Sequence, residues 1–226
     1  MMPGGRILIV NPNSSARVTA VIDRALEPLR RTTSLRIEVV GSPSGPSGIA
    51  LQADSDSVAP FVQDTVRRSD ALACVIACFS DPGLHGAREA SADKIVLGCG
   101  ESGILHAMMS GDRFGIISLS ESSTQRQRRM VRTMGVASRY AGSVPLSATA
   151  EDVTSPAMFE AMAGAGYELV RQGANVVVMG CAGMAHCRDA LERRLGVVVI
   201  DPVDSAVAMA IGLCGLKGSR IHGDAS

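Results

Sequence analysis

Short runs of aliphatic and β-branched residues recur along the chain, and longer segments with helical periodicity separate them. Each apolar run ends at Gly, Pro, Asn, Asp or Ser, which is typical of a buried strand followed by a turn. The pattern predicts strands over residues 6–12, 35–42, 73–79, 94–100, 114–120, 175–181 and 197–202. It predicts helices over residues 14–31, 52–70, 121–134, 156–172 and 183–195.

Alternating strands and helices indicate βαβ units, and therefore parallel sheets. A strand that ends in cysteine and a glycine-containing turn occurs twice, around 73–90 and around 175–195. We therefore predict an α/β fold with two pseudo-symmetric lobes, each a mainly parallel sheet flanked by helices. Residues 1–100 together with 203–226 would form the first lobe, and residues 101–202 the second. Ligands bind at the carboxyl ends of such strands, so the active site is expected in the cleft between the lobes.

Composition narrows the class of protein. The chain has 226 residues, of which 46% are hydrophobic and only 3% aromatic, so aliphatic side chains must build the core. Equal numbers of acidic and basic residues, 22 each, leave no electrostatic footprint for nucleic acid. The one basic cluster lies in a predicted helix and is interpreted as a solvent-exposed face; it consists of Arg126, Arg128, Arg129 and Arg132.

Location and cofactor use can also be predicted. No apolar segment has the length of a secretory signal or a membrane span, so we expect a cytoplasmic protein with reduced thiols and no membrane partner. Neither of the two lysines, Lys94 and Lys217, is placed to form a Schiff base with a cofactor. The glycines of "GCGESG" (98–103) do not have the spacing of a dinucleotide-binding loop. No metal is expected, since Cys181, His186 and Cys187 match no zinc-binding pattern.

Two of the six cysteines occupy unusual positions. Cys78 in "IACFSDPGL" (76–84) and Cys181 in "VMGCAGMAH" (178–186) each stand where an apolar run gives way to a turn. Free cysteines are commonly buried, and this is the interpretation for the other four, Cys74, Cys99, Cys187 and Cys214. Backbone N–H groups at the start of the following helix would lower the pKa of each turn thiol.

Two thiols that face one cleft could act as a pair of bases. One thiolate would remove a proton from a carbon beside a carbonyl, and the other thiol would return a proton to the opposite face. The intermediate is an enolate, whose oxygen could be held by the backbone N–H groups of Phe79, Ser80, Ala182 and Gly183. Neighbouring strand ends would supply polar contacts from Asn13, Ser14 and Ser118. Asp81 is interpreted as a cap of the helix that follows it.

Five motifs in order, "NPNSS" (11–15), "ACFSDPGL" (77–84), "GESG" (100–103), "GCAGM" (180–184) and "IDPV" (200–203), resemble the aspartate/glutamate/hydantoin racemase superfamily, in its hydantoin and allantoin racemase branch. The resemblance implies a cofactor-independent site in which Cys78 and Cys181 are the catalytic pair, each serving one enantiomer of a small-molecule substrate. It also implies a homo-oligomer. Ser80 replaces a residue that is often Gly or Ala in related enzymes. Arylmalonate decarboxylases resemble this architecture but keep only the second-lobe cysteine, so Cys78 favours racemisation.

The first functional hypothesis is therefore racemisation of a 5-substituted hydantoin or of allantoin by proton abstraction and return at C5. The second is an amino-acid racemase or a small dicarboxylate isomerase, which would need a cationic or N–H anchor for a free carboxylate. A third is a ligand-binding protein without catalysis. The Gly/Ser/Pro segment 41–48 is either a cover over the substrate or a connector.

Overall fold

The structure is a computed structural model that describes residues 5–221, with side chains described up to residue 217. The predicted first lobe includes residues 1–4 and 222–226, which lie outside the described residues. Eight strands are described: Arg6–Asn11 (β1), Arg36–Gly41 (β2), Ala73–Ile76 (β3), Ile95–Gly98 (β4), Phe114–Ser118 (β5), Tyr140–Pro145 (β6), Val176–Met179 (β7) and Val198–Ile200 (β8). The α-helices are Ala16–Ala25 (α1), Glu27–Arg30 (α2), Gln52–Arg68 (α3), Leu84–Ala90 (α4), Cys99–Ser110 (α5), Glu121–Thr133 (α6), Phe159–Arg171 (α7), Arg188–Leu195 (α8) and Pro202–Ile221 (α9). Short 3-10 helices cover Ala137–Arg139, Asp152–Thr154, Pro156–Met158 and Ala182–Cys187.

The strands form two four-stranded sheets with the same connectivity. The first sheet has the order β2-β1-β3-β4 and the second the order β6-β5-β7-β8. Every described strand pair is parallel. The prediction of two α/β units with parallel sheets flanked by helices is confirmed.

The count of seven strands was wrong, because β6 escaped the sequence pattern. Its sequence, YAGSVP, has no run of large apolar residues, and every residue in it is only partly buried. β6 is an edge strand that pairs with β5 alone, and the register shifts between Phe114 and Gly115. An edge strand needs no continuous apolar run, since helices and neighbouring strands do not cover it fully.

Central strands are apolar for the opposite reason. All four residues of β3 and all four of β7 are buried, as expected for parallel strands covered on both faces. The largest cluster of buried side chains includes Ile9 and Val75 from the first sheet together with Val177 and Met179 from the second. One continuous apolar interior therefore joins the two sheets.

Two helices connect the halves. α5 follows β4 and packs against α9 and against β5, β7 and β8 of the second sheet. α9 follows β8 and packs back against β1, β3 and β4 of the first sheet. The chain thus passes between the sheets twice, and the ends of β3 and β7 are held beside one another at the junction.

Candidate active site

The two cysteines singled out by the sequence occupy equivalent places. β3 ends at Ile76 and β7 at Met179, and in each case the cysteine stands two positions further on. Cys78 and Cys181 both line one cavity of about 560 Å³, a size common for small-molecule sites. The structure thus brings together one thiol from each sheet.

The turn that carries Cys78 is tight. The Asp81 N–H donates to the Cys78 carbonyl over 2.8 Å, and Asp81 itself has a positive φ of 46°. The sulfur of Cys78 lies 3.3 Å from the Ser80 hydroxyl, which in turn accepts a hydrogen bond from Ser55 Oγ at 3.3 Å. A glycine is required at position 83, because φ is 72° there and a Cβ would lie 2.8 Å from the Ala59 carbonyl oxygen.

Asp81 caps a helix, but not the one expected. Its carboxylate accepts the N–H of Gly100 at 2.9 Å and the N–H of Glu101 at 2.8 Å, both in the first turn of α5. The interpretation of Asp81 as a cap of the following helix was therefore wrong. The Gly100 position makes this approach possible, since a Cβ there would lie 2.1 Å from the Phe79 carbonyl oxygen. The Cys78 turn is consequently fastened to the helix that passes between the sheets.

Cys181 begins the 3-10 helix Ala182–Cys187. As its N-cap residue it accepts a hydrogen bond at sulfur from the Gly183 N–H, 3.4 Å away. Only 8% of its surface is exposed, whereas Cys78 is partly buried. Gly180 before it is also a close-packed position, where a Cβ would lie 2.4 Å from the Ile117 carbonyl oxygen.

Burial dominates the electrostatics of both thiols. It raises the pKa of Cys181 to about 12, against the Gly183 hydrogen bond and with help from negative charge at Cys78 and Asp201. Burial also raises the pKa of Cys78. The hydroxyl and N–H of Ser80 oppose this rise, and the weaker effects of the Asp81 charge, which raises the pKa, and the Arg126 charge, which lowers it, act in opposite directions. The expectation that helix-start N–H groups lower these pKa values was wrong, because removing a thiolate from water outweighs one or two hydrogen bonds. Cys78 has more opposing contacts, so it is the easier of the two to ionise.

The remaining predicted site residues divide into two groups. Residues of the first group line the cavity beside the two cysteines: Asn13, Phe79, Ser80 and Ala182. Three others, Ser14, Ser118 and Gly183, do not belong to the described lining. Ser14 is exposed and its N–H donates to the Pro46 carbonyl, while Ser118 is buried and its hydroxyl donates to the Ser120 carbonyl.

Sequence reasoning missed the wall that α6 contributes. Ser123, Arg126, Gln127 and Met130 share one face of this helix and line the cavity, and Arg129 lies beside them. The interpretation of the basic cluster as a solvent-exposed face was therefore wrong for Arg126, which is half-buried, whereas Arg128, Arg129 and Arg132 are exposed. The i, i+3, i+4, i+7 spacing that places these residues on one face of α6 is visible in the sequence. Because the face includes an arginine, it was interpreted as exposed to solvent.

Arg126 also ties the second half of the chain to the first. Its guanidinium donates to the Ala50 carbonyl at 2.9 Å and to the Ile49 carbonyl at 3.3 Å. Arg129 donates to the side-chain oxygen of Gln52 at 2.8 Å. Ile49 and Gln52 line the cavity just after the segment 41–48, whose role as a cover stays a prediction.

Within residues 5–217 no group of three His, Cys, Asp or Glu side chains is arranged to hold a metal ion. No described helix is long and apolar enough to cross a membrane.

Two parallel sheets that share one cavity, with a cysteine of each sheet in its wall, define a two-lobed α/β protein with a paired-thiol site. The family model for Asp/Glu/hydantoin racemases matches residues 7–210, and the chain belongs to this family. Hydantoin racemase of Pseudomonas sp. (strain NS671) is 32% identical over 217 residues, covering 91% of this chain and 84% of that protein. Hydantoin racemase of Paenarthrobacter aurescens is 33% identical over 219 residues, covering 93% and 92%.

Solved structures agree with this assignment. Allantoin racemase from Klebsiella pneumoniae superposes with a TM-score of 0.85 at 27% identity, covering 94% of this chain and 89% of that one. Glutamate racemase from Francisella tularensis has a TM-score of 0.69 at 15% identity over 96% and 83% of the two chains, a likeness of fold alone.

Proposed function

We propose that the protein is a cofactor-independent racemase of a cyclic ureide, a 5-substituted hydantoin or allantoin, with Cys78 and Cys181 as its two acid/base groups. The observation that carries the proposal is the position of one cysteine from each sheet in the wall of a single cavity. Relatives that are called hydantoin racemase and allantoin racemase, over nearly the whole chain, support the substrate class.

The chemistry needs two groups on opposite faces of one carbon. The C5–H of a hydantoin lies beside a ring carbonyl, so removal of its proton leaves an enolate. One sulfur takes this proton as a thiolate and becomes a thiol, while the opposite sulfur gives its proton to C5 and becomes a thiolate. After one turnover the protonation states of the two sulfurs have exchanged, and the site is prepared for the other enantiomer.

Which sulfur ionises first follows from the surroundings described above. The pKa of Cys78 is raised by burial and, less strongly, by the Asp81 charge, but it is lowered by hydrogen bonds with the Ser80 hydroxyl and the Ser80 N–H and by the Arg126 charge. For Cys181 the single lowering contact is the Gly183 N–H. Cys78 is therefore the resting base, and it removes the proton of the enantiomer whose C5–H points towards it.

A free amino acid is the second candidate substrate. It would require a cationic anchor for the α-carboxylate, and Arg126 supplies a guanidinium in the cavity wall. That guanidinium already donates to two backbone carbonyls and to Ser123, so a substrate carboxylate would have to share it with three neutral acceptors. A panel of allantoin, neutral hydantoins, aspartate and glutamate separates the two candidates by their racemisation rates.

The mechanism is tested with Cys78→Ser and Cys181→Ser, with Cys214→Ser on α9, which does not line the cavity, as the matched control. Racemisation of pure enantiomers is followed by circular dichroism, and C5 deuterium uptake by NMR in D₂O. We expect each active-site variant to lose racemisation by roughly 10²–10⁴-fold. Each should still exchange deuterium into one enantiomer, and the two variants should differ in which enantiomer that is.

Wild-type racemisation in either active-site variant would contradict the two-thiol mechanism. A wild-type protein that binds ureides but accelerates the racemisation of no hydantoin, allantoin or amino acid would instead support the ligand-binding alternative. Cys214→Ser should match the wild type in both assays, which excludes a general effect of replacing a cysteine.

A further inference from the structure

The cavity is longer than a hydantoin ring. Its wall follows α6 from Ser123 to Met134, a distance of roughly 16 Å for a helix of this length. The two cysteines lie near the ends of β3 and β7, so a ring positioned between them leaves the part of the cavity along α6 for the C5 substituent. The volume of about 560 Å³ is consistent with a substituent of several atoms.

This part of the cavity carries positive charge. Arg126 and Arg129 line it, and within residues 5–217 neither guanidinium belongs to an ion pair with a carboxylate. The acceptors that they do contact are neutral: the carbonyls of Ile49 and Ala50, the Ser123 hydroxyl and the Gln52 amide oxygen.

The nearby acidic groups are already engaged elsewhere. Asp81 accepts two N–H groups of α5, and Glu101 pairs with Arg88 at 3.0 Å. Asp54 is near enough for its charge to act on the pKa of Arg126, but it forms no ion pair with Arg126 and accepts the N–H groups of Ala50 at 2.9 Å and Leu51 at 2.7 Å. Along α6 the cavity therefore has two guanidinium groups in its wall, neither of them within ion-pair distance of a described carboxylate.

We propose that the natural ureide substrate carries an acidic C5 substituent, whose carboxylate is bound by Arg126 and Arg129. This inference rests on the proposed function and adds the substituent class to it. Guanidinium groups bind carboxylates through paired, charge-assisted hydrogen bonds, and the half-buried position of Arg126 strengthens such bonds, while the exposed Arg129 adds charge at the rim. Met130 and Met134, on the same wall, suit the methylene groups between the ring and the carboxylate.

The substrate side is tested with 5-(2-carboxyethyl)hydantoin and its neutral isostere 5-(2-carbamoylethyl)hydantoin, with 5-isobutylhydantoin as an apolar reference. Each kcat/KM for racemisation is divided by the hydroxide-catalysed C5 exchange rate of the same compound, which corrects for differences in C–H acidity. We expect the acid to exceed the amide at least tenfold at low ionic strength, and this ratio to fall as salt is added.

The protein side is tested with Arg126→Gln and Arg129→Gln, and with Arg132→Gln on the exposed face of α6 as the matched control. Both cavity variants should raise KM for the acid at least tenfold. Arg129→Gln should change kcat/KM for 5-isobutylhydantoin by less than threefold. Arg126→Gln should lower kcat/KM for every substrate as well, because the Arg126 charge lowers the pKa of Cys78. Arg129→Gln removes one contact to Gln52 and keeps the Arg126 contacts with Ile49 and Ala50, so it reports on the charge even if Arg126→Gln unfolds. Arg132→Gln should leave all three substrates unaffected.

The outcomes separate this inference from the proposed function. Racemisation of the neutral hydantoins at a rate equal to or above that of the acid overturns the acidic-substituent proposal and leaves the racemase intact. Equal losses for acidic and apolar substrates in Arg129→Gln would also overturn it. Racemisation of none of the three compounds, nor of allantoin, contradicts the proposed function itself.

Discussion

Asp81 and Gly100, 19 residues apart in the chain, are joined by a hydrogen bond of 2.9 Å from the Gly100 N–H to the Asp81 carboxylate. The second carboxylate oxygen accepts the Glu101 N–H, so both oxygens hold the first turn of α5. Because α5 contacts strands of both sheets, this carboxylate fixes the turn of Cys78 relative to the sheet that carries Cys181. The distance between the two thiols therefore depends on a side chain that is not required to touch the substrate.

Asp81→Asn should damage this attachment. The amide keeps one accepting oxygen but directs an NH₂ group at the second backbone N–H, which leaves that donor unsatisfied. We expect a loss of about 1–3 kcal/mol in the free energy of unfolding and a loss of racemase activity of more than tenfold. Urea denaturation and racemisation assays measure the two effects. The surface variant Asp64→Asn, in exposed ion pairs with Arg67 and Arg68, should leave the urea midpoint and the activity close to those of the wild type, because water and salt screen such pairs.

Gly100→Ala tests the close approach on the other side of the same contact. A Cβ at this position would lie 2.1 Å from the carbonyl oxygen of Phe79, a backbone atom that can move only with the Cys78 turn. We expect a destabilisation of about 1–3 kcal/mol and a larger proportional loss of racemisation.

Gly164→Ala on α7 is the matched control, because no atom lies within 4 Å of its added Cβ. It should stabilise the protein by up to about 1 kcal/mol, since alanine favours a helix, and leave racemisation unchanged. Equal effects of the two alanine substitutions would show that the position of the Phe79 carbonyl is unimportant.

The raised thiol pKa values predict an unusual pH dependence. Below the pKa of the resting base, the thiolate fraction grows about tenfold per pH unit, so kcat/KM should rise steadily from pH 6.5 to pH 8.5. The rise should continue without a descending limb in this range, because burial raises the pKa of Cys181 to about 12 and keeps it a thiol. Initial racemisation rates, corrected for the hydroxide-catalysed reaction, measure the profile. A plateau that begins below neutral pH would contradict this assignment.

Alkylation should report the same order of ionisation. Iodoacetamide should modify Cys78 before Cys181, faster at higher pH, because only the thiolate reacts. Ser80→Ala should slow modification of Cys78, since the Ser80 hydroxyl lowers the pKa of that thiol. The variant should leave the rate at Cys181 unchanged. Peptide mass spectrometry after timed quenching separates the two sites, and faster modification of Cys181 would reverse our assignment of the resting base.

Stability should decrease as pH rises through the acidic range. Burial raises the pKa of Asp81 to about 7, of Asp201 to about 6 and of Asp204 to about 7. Between about pH 4 and pH 7 the folded chain therefore binds more protons at these groups than the unfolded chain, and the free energy of unfolding falls with increasing pH. Above about pH 7 the contribution becomes constant.

Thermal unfolding at intervals between pH 4.5 and pH 8 checks this sign. The variant Asp204→Asn removes one of the three groups and should flatten the slope, whereas Asp23→Asn, an exposed side chain on α1, should leave it unaltered. A midpoint that rises through this window would contradict the raised pKa values of Asp81, Asp201 and Asp204.

Much of the fold could be predicted because each buried parallel strand is a continuous run of apolar residues that ends at a turn. β3 and β7 are continuous apolar runs, and each ends at a turn with a cysteine. The cavity residues Asn13 and Ser80 could also be predicted, since they follow strands whose carboxyl ends meet at one edge of a sheet. β6 was not predictable in this way, because a half-buried edge strand is not marked by apolar density.

Polar contacts between residues far apart in the chain could not be predicted from the sequence either. Nothing in the local sequence shows that Asp81 accepts N–H groups from residues 100 and 101, or that Arg126 reaches the carbonyls at 49 and 50. The predicted direction of the thiol pKa shifts was wrong for a related reason. N–H groups at a helix start can be recognised in the sequence, whereas the loss of water around a thiol depends on the folded surroundings. Local patterns thus located the thiols, and tertiary packing determined their chemistry.

The two cysteines occupy matching places after β3 and β7, yet one has a hydroxyl beside its sulfur and the other a backbone N–H. Mirror-image substrates have equal free energies in water, so a racemase must have the same kcat/KM in both directions whatever surrounds its sulfurs. Unequal surroundings can then change kcat and KM only in the same proportion. The enantiomer with the lower KM also has the lower kcat. The duplicated architecture thereby permits a different turnover number for each hand of the substrate while the final mixture stays racemic.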